Sequence, residues 1–286
     1  MKKKIGIVLL NYKNYNDTIN CIKSILQQTY QNYNIVVVDN NSQNESINEI
    51  NNYIQGKDNI FFLKNEKNLG FAKGNNIGIK FAREKLQCDF VFVLNSDTIL
   101  NDKDSLKKLI DSYVPNSKLA LINPMCCDLE GNIQLPYLIY SSKMWKYCVK
   151  MGVYLIKQFV KLIFNLDKYI KNKKIIVDFN KIKANKYVIQ GCAYILTPDF
   201  FEYYTQIYPE TFLYCEETAL AIYIEKAKLR TITNFDVIIV HKEGGSSKEV
   251  LKDKKKQKLK YQVHSYFKVI KLIMYKYENI RKNFSM

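Results

Sequence analysis

The chain has 286 residues, 47% of them hydrophobic, enough apolar material for a globular core and too much for a disordered chain. Its 44 lysines and arginines against 27 acids leave a net charge of +17, a balance that points to an anionic partner such as a nucleotide, a nucleic acid or an acidic membrane surface. The seven cysteines are odd in number, scattered and without a C-x-x-C pair, and read as buried reduced thiols in a reducing compartment. The first ten residues imitate a signal peptide. Their apolar run is too short for one, lacks a small-residue cleavage site and ends in Asn11-Tyr12-Lys13. Residues 5–10 therefore read as a first buried strand. No stretch approaches the roughly 20 apolar residues of a membrane span, so a cytosolic or peripheral protein is expected.

A polar loop follows at 11–17, where Asn16 or Asp17 can cap a helix carrying Ile19, Ile22, Ile25 and Leu26. Residues 35–38 form a second buried strand that ends on a carboxylate, Asp39. A polar helix over 45–54 and a short strand at 60–63 come next. The segment from Asn65 to Gly78 has glycines four apart at Gly70, Gly74 and Gly78 and leads into a helix through Phe81. Asn75 and Asn76 there can donate amide hydrogens to a ligand or cap the helix. A fourth strand runs from Phe90 to Leu94, five apolar residues that stop at Asn95-Ser96-Asp97. Such a run is a strand buried on both faces. Asp97 then stands past its carboxyl end, where open α/β sheets bind ligands. The plain alternative, a cap on the next helix, competes with Asp102 and Asp104 later in the chain. A helix at 105–113 and a fifth strand at 119–122 complete the first half. Strands alternating with helices predict a mostly parallel sheet with Asp39 and Asp97 on one edge.

The middle of the chain differs. Residues 144–170 are helical in pattern, with Lys150, Lys157, Lys161 and Lys168 near one side of an otherwise apolar helix. That pattern fits either a core helix or one lying in a membrane interface. Strand pattern returns at 187–189 and 191–196. Pro198 opens a helix, and Glu216-Glu217 open another through Lys226. Residues 230–233 and 237–240 read as two short strands, followed by a turn-rich loop from His241. A basic tail from Lys248 repeats Leu259, Val263, Phe267, Ile270 and Met274 at helical spacing. His264 on that tail reads as structural.

Four motifs stand in a telling order. They are Val8-Leu9-Leu10-Asn11-Tyr12 with Val36-Val37-Val38-Asp39-Asn40-Asn41-Ser42; the stretch Asn68-Leu69-Gly70-Phe71-Ala72-Lys73-Gly74-Asn75-Asn76-Ile77-Gly78; Leu94-Asn95-Ser96-Asp97-Thr98; and Phe212-Leu213-Tyr214-Cys215-Glu216-Glu217. Together they resemble an inverting glycosyltransferase of family 2, in flavour the bacterial rhamnosyltransferase-like branch that builds surface polysaccharides. The resemblance implies a GT-A fold: a Rossmann-like, mostly parallel α/β sheet flanked by helices. It would occupy residues 1–247, with a helical insertion at about 140–185 and a basic amphipathic helical extension at 248–286.

The resemblance also assigns roles. Asp39 matches the carboxylate that accepts the pyrimidine ring N–H, suited to it as an ionised, acceptor-only group. Asn11, Asn41, Gly70, Lys73, Asn75, Asn95 and Gly191 fall on donor-binding positions, the Gly70–Gly78 stretch being similar to a segment that closes over nucleotide and diphosphate. Asp97 matches the last acid of a D-x-D-type motif whose first position here is Asn95. One carboxylate would then hold Mn²⁺ or Mg²⁺ with help from His241. Glu216-Glu217 stand where the family has Glu-Asp, which puts the catalytic base at Glu217 and leaves Glu216 as the other choice. A nucleotide-sugar donor and a saccharide or lipid-linked acceptor follow as partners, with an anionic membrane surface and a homodimer as further options and nucleic acid not expected. A sugar nucleotidyltransferase would need a Gly- and Arg-rich loop after the first strand, where Asn11-Tyr12-Lys13-Asn14 stands. A non-catalytic glycan- or nucleotide-binding protein on the same fold would have no chemical reason to keep a base and a metal pair together.

Overall fold

Strand β1 (Ile5–Asn11) is the centre of the parallel half of the sheet, hydrogen-bonded to β2 (Tyr33–Asp39) on one side and β4 (Phe90–Asn95) on the other, with β3 (Ile60–Lys64) beyond β2. The computed structural model describes residues 3–134, 137–139, 149, 152–160, 187–242 and 254–284. Most of the insertion expected at 140–185, with Cys148, Lys150, Lys161 and Lys168, lies outside those residues. The six described cysteines are buried.

The sheet continues from β4 through β10 (Ala193–Leu196), β6 (Leu119–Cys127), β11 (Arg230–His241) and β5 (Thr98–Ile99). Strand β10 runs antiparallel between β4 and β6, so a strand from late in the chain divides two parallel blocks. Strand β7 (Ile133–Gln134) adds to β6, and β8 (Tyr137–Ile139) pairs with β9 (Tyr187–Ile189) in a separate ribbon.

Alternation along the strands splits the core in two. Val8, Val36, Val38, Val91 and Val93 face one layer with α3 (Gly70–Lys80) and α7 (Glu216–Lys226); Ile7, Leu9, Ile35, Val37 and Phe92 face the other, with α1 (Tyr15–Leu26) and α4 (Ser105–Asp111). Because β1, β2, β4, β6 and β10 are covered on both faces, their runs read as near-continuously apolar. Helix α2 (Ser46–Ile54) packs beside α1, and α6 (Pro198–Phe201) has Thr197 as its cap. A helix over 152–160 (α5) precedes β9; α8 (Lys254–Met274) and α9 (Tyr277–Phe284) end the chain.

Three local expectations are corrected. Helix α1 is capped by Asn14, not by Asn16 or Asp17: the Asn14 side chain accepts the Asp17 N–H, and Asp17 falls in the first turn. The strands expected at 230–233 and 237–240 are one strand. Its register on β6 shifts between Asn234 and Ile238, opposite Pro124, which has no N–H to give to a ladder. The glycine segment becomes helix at Gly70 itself, and neither Asn75 nor Asn76 caps it. Asp97 is no helix cap either, since Asp104 precedes α4.

Candidate active site

The parallel register lines up three carboxyl ends. Asn11 lies opposite Asp39 and Leu10 opposite Asn95, so β2, β1 and β4 finish together at a strand spacing of about 4.8 Å. Asp39 has no exposed surface. Its Oδ1 accepts the Ser42 N–H at 2.9 Å, and its Oδ2 accepts the Asn11 amide at 2.7 Å and the Ser42 hydroxyl. A carboxylate offers about four lone-pair sites, so one is left at Oδ1. Asn41, at φ 63°, turns the chain between Asp39 and Ser42. The next polar hub is Asn40, which stands in the Asp39–Ser42 motif without an assigned role. Its Oδ1 accepts from Asn65 Nδ2 and Leu69 N–H, and its Nδ2 donates to Asn68 Oδ1 and Gly70 O. It fixes the loop that launches α3.

The glycines of α3 permit close approach of helix to sheet. A Cβ at Gly74 would lie 2.6 Å from Leu10 Cδ1, and one at Gly78 would drive into Val8 Cγ1. Gly70, at φ 79°, abuts Phe212, whose carbonyl accepts the Phe71 N–H at 2.8 Å. Asn75 donates to Phe71 O inside the helix, and Asn76 latches both backbone groups of Ile207. Lys73 stays half exposed, 3.9 Å from Glu210.

On the far side of β4, Asp97 Oδ1 and His241 Nε2 stand 3.4 Å apart. Strand β11 brings His241 there by pairing it with Thr98, and Gln134 holds the other ring nitrogen at 2.9 Å. Burial opposes the imidazolium, but hydrogen bonds to Asp97 and Cys192 outweigh it and push His241 up to about 10. Among the described residues no group of three or more His, Cys, Asp or Glu side chains is arranged around a metal position. The pair nevertheless fits a divalent ion: ligands at right angles on bonds of about 2.1 Å lie about 3 Å apart. Carboxylate and imidazole would supply two donors, and phosphate oxygens and water the rest.

Gly191 and Cys192 connect this pair to the glutamates. A Cβ on Gly191 would fall onto Glu217 Oε1, with Glu217 Cδ only 3.0 Å away, so the carboxylate rests in the space a side chain would fill. The next residue, Cys192, accepts the Asn95 N–H at its carbonyl and meets His241 through its thiol. Buried Asn123 positions the segment by accepting the Gln190 N–H and donating to Val188 and Ile232 carbonyls.

The glutamates occupy the first turn of α7. Tyr214 and Cys215 just before them sit at φ 72° and 66°, two successive left-handed non-glycine residues. Such strain persists where surroundings over-determine it. Here Ser265 of α8 donates to Leu213 O at 2.8 Å, and Tyr261 stacks on Phe212 at 4.9 Å. Burial, then the Glu217 charge, pushes Glu216 up to about 8, and burial raises Glu217 too.

The structure thus brings Asp97, His241, Asn95, Gly191 and Glu217 together, and Asn11, Asp39 and Asn41 at the adjoining strand ends. Lys73 and Asn75 lie on α3 beside them. Gln134 and Asn123 orient these groups from positions without a motif, where isolated amides carry no sequence signal, and Asn40 does so from within the Asp39–Ser42 motif.

Residues 6–175 match the model of the family described as glycosyl transferase family 2, more than half of the chain. The chain belongs to that family. It is 36% identical over 125 residues to an uncharacterized glycosyltransferase of Haemophilus influenzae, covering 43% of this chain and 47% of that one. It is 28% identical over 131 residues to the low-salt glycan biosynthesis hexosyltransferase Agl10 of Haloferax volcanii, covering 46% and 39%. The matches thus span less than half the length of these curated relatives. In structure it resembles a mannosyltransferase of Pyrobaculum calidifontis solved with GDP-Man and Mn²⁺ (TM-score 0.58, 12% identity, 95% of this chain and 65% of that one). It also resembles GalNAc-T7 solved with UDP, GalNAc and Mn²⁺ (TM-score 0.61, 12% identity, 99% and 55%). The shared fold is the GT-A fold.

Proposed function

We propose that the protein transfers a sugar, with inversion, from a nucleoside diphosphate donor to a hydroxyl of a saccharide or lipid-linked acceptor, in the assembly of a surface polysaccharide. One observation carries the reading: adjacent residues Gly191 and Cys192 hold a half-buried glutamate on one side and an Asp–His pair on the other. Base and leaving-group stabiliser must flank one carbon for a single displacement to invert it. The family membership and the nucleotide ligands of the two structural relatives support sugar transfer from a nucleotide donor.

Glu217 removes the proton of the acceptor hydroxyl as it attacks. Glu217 is preferred to Glu216 because its carboxylate is the one seated against Gly191, beside the Asp97–His241 pair. Asn11, Asp39 and Asn41 shape the pocket for the pyrimidine of a UDP- or dTDP-sugar, and Lys73 and Asn95 lie toward the diphosphate. Asp97 and His241 are the residues that would hold Mn²⁺ or Mg²⁺, which neutralises charge on the departing diphosphate when bound. The imidazole must lose its proton to serve as a ligand.

The test is thermal stabilisation by uridine, thymidine and guanosine diphosphates with and without Mn²⁺, followed by hydrolysis of the matching nucleotide sugar. A ligand at a hundred times its Kd adds about 2.7 kcal/mol. Asp97→Ala should abolish the Mn²⁺-dependent part, and Glu217→Gln should lower turnover by about 10²–10⁴ while nucleotide binding persists. Turnover indifferent to both substitutions would sink the proposal.

A further inference from the structure

We propose that α5 and the outer face of α8 form a surface by which the protein lies on an anionic lipid bilayer, next to the base. This deepens the transferase reading, on which it rests, by naming where a lipid-linked acceptor would be presented. Among the described residues, twelve large apolar side chains are exposed, and eight of them belong to this one region: Val149 and five on α5, with Phe267 and Met274 on α8. The concentration matters, since scattered exposed apolar residues are ordinary and clustered ones mark an interaction surface.

Helix α5 buries only Leu155, while Val153, Ile156 and Val160 recur on one face with Phe159 beside them. A helix that leaves this much apolar surface uncovered lacks a reason to be stable in water alone. Helix α8 is two-sided. Ser265, Val269 and Leu272 are buried, whereas Lys256, Lys260, His264, Phe267, Lys271 and Met274 are exposed at successive spacings of three or four. The helix has no acid anywhere from Lys254 to Met274. Cations interleaved with aromatic and apolar side chains on an exposed face are the mark of an interfacial helix.

The two helices meet where Gly152 packs on Tyr266, whose hydroxyl lies 2.8 Å from the position of an added Cβ. On the α5 side, exposed Tyr154 lies within electrostatic reach of Tyr214, three residues before Glu217, while α8 braces the same turn from its inner face. The surface therefore adjoins the turn that carries the base. Charge decides the occupant. A second copy of the chain meeting the same patch two-fold would set the lysine row against itself. An anionic leaflet attracts each of those lysines.

The experiment is co-sedimentation of the full chain with phosphatidylcholine vesicles with and without phosphatidylglycerol. Binding is expected only with the anionic lipid, falling at least tenfold when salt shortens the Debye length from about 10 Å to about 4 Å. Ile156→Glu with Phe159→Glu should abolish it, and Lys256→Glu with Lys260→Glu should weaken it more than tenfold. Both variants should keep the wild-type Tm and the thermal shift with nucleoside diphosphate and Mn²⁺, which separates this proposal from the transferase reading. No binding to anionic vesicles at low salt overturns it. So does binding unchanged in the apolar variant, or self-association without vesicles that the apolar variant abolishes, which would make the patch a dimer contact.

Discussion

Gly191 lacks a side chain at the one place where Glu217 Oε1 needs the room. In Gly191→Ala the added methyl meets the far end of a flexible side chain, so the glutamate swings away while the strands stay put. Stability should change by no more than about 1 kcal/mol. Turnover should fall about 10²-fold, the cost of moving a reacting group by about an ångström. Paired thermal unfolding and kcat measurements check both halves. At this scale the positions of Asp39 and Asp97 were legible in the sequence, because each stands just past a continuous apolar run rich in β-branched residues that reads as a buried strand. His241 was legible for the same reason, standing at the end of an apolar stretch. Gln134, which holds the His241 ring, was not: it comes 107 residues earlier in a two-residue strand, and only the β6–β7 and β6–β11 pairings bring the two together.

At the scale of elements, α3 shows one pattern with two readings. Glycines four apart fit a backbone lying close to a ligand and equally a helix lying close to a sheet. The structure uses Gly74 and Gly78 for the second, against Leu10 and Val8. In Gly78→Ala the new Cβ would press on Val8 and Val38 in a fully packed layer. Overpacking costs about 1–3 kcal/mol, and the better helix propensity of alanine returns about 1 kcal/mol. Urea unfolding should therefore show a net loss of up to about 2 kcal/mol. The order of strands and helices was readable from apolar runs and glycine and proline punctuation. The direction of β10 was not, since a strand buried on both faces looks alike whichever way it runs.

For the whole molecule, the proton on Glu216 links chemistry to stability. Its pKa is raised from 4.5 to about 8. Between those values the folded chain keeps a proton that the unfolded chain has released, so this contribution is complete below about 4.5 and is lost as pH rises toward 8. Glu216→Gln cannot titrate. The fall in Tm between pH 5 and 8 should be steeper in the wild type than in the variant, and equal slopes would refute the assignment.

The sequence by itself determined what depends on neighbours along the chain: which segments are strands or helices, which carboxylates stand past strand ends, and how the charge is distributed. Tertiary structure alone decided what depends on closure across the sheet. Inserting β10 between β4 and β6 is what carries Gly191 and Cys192, and with them Glu217, to the edge where Asp97 and His241 meet. Groups more than a hundred residues apart become neighbours only when backbone pairing places them. Local sequence records the side chains available for that chemistry but not the strand order that joins them.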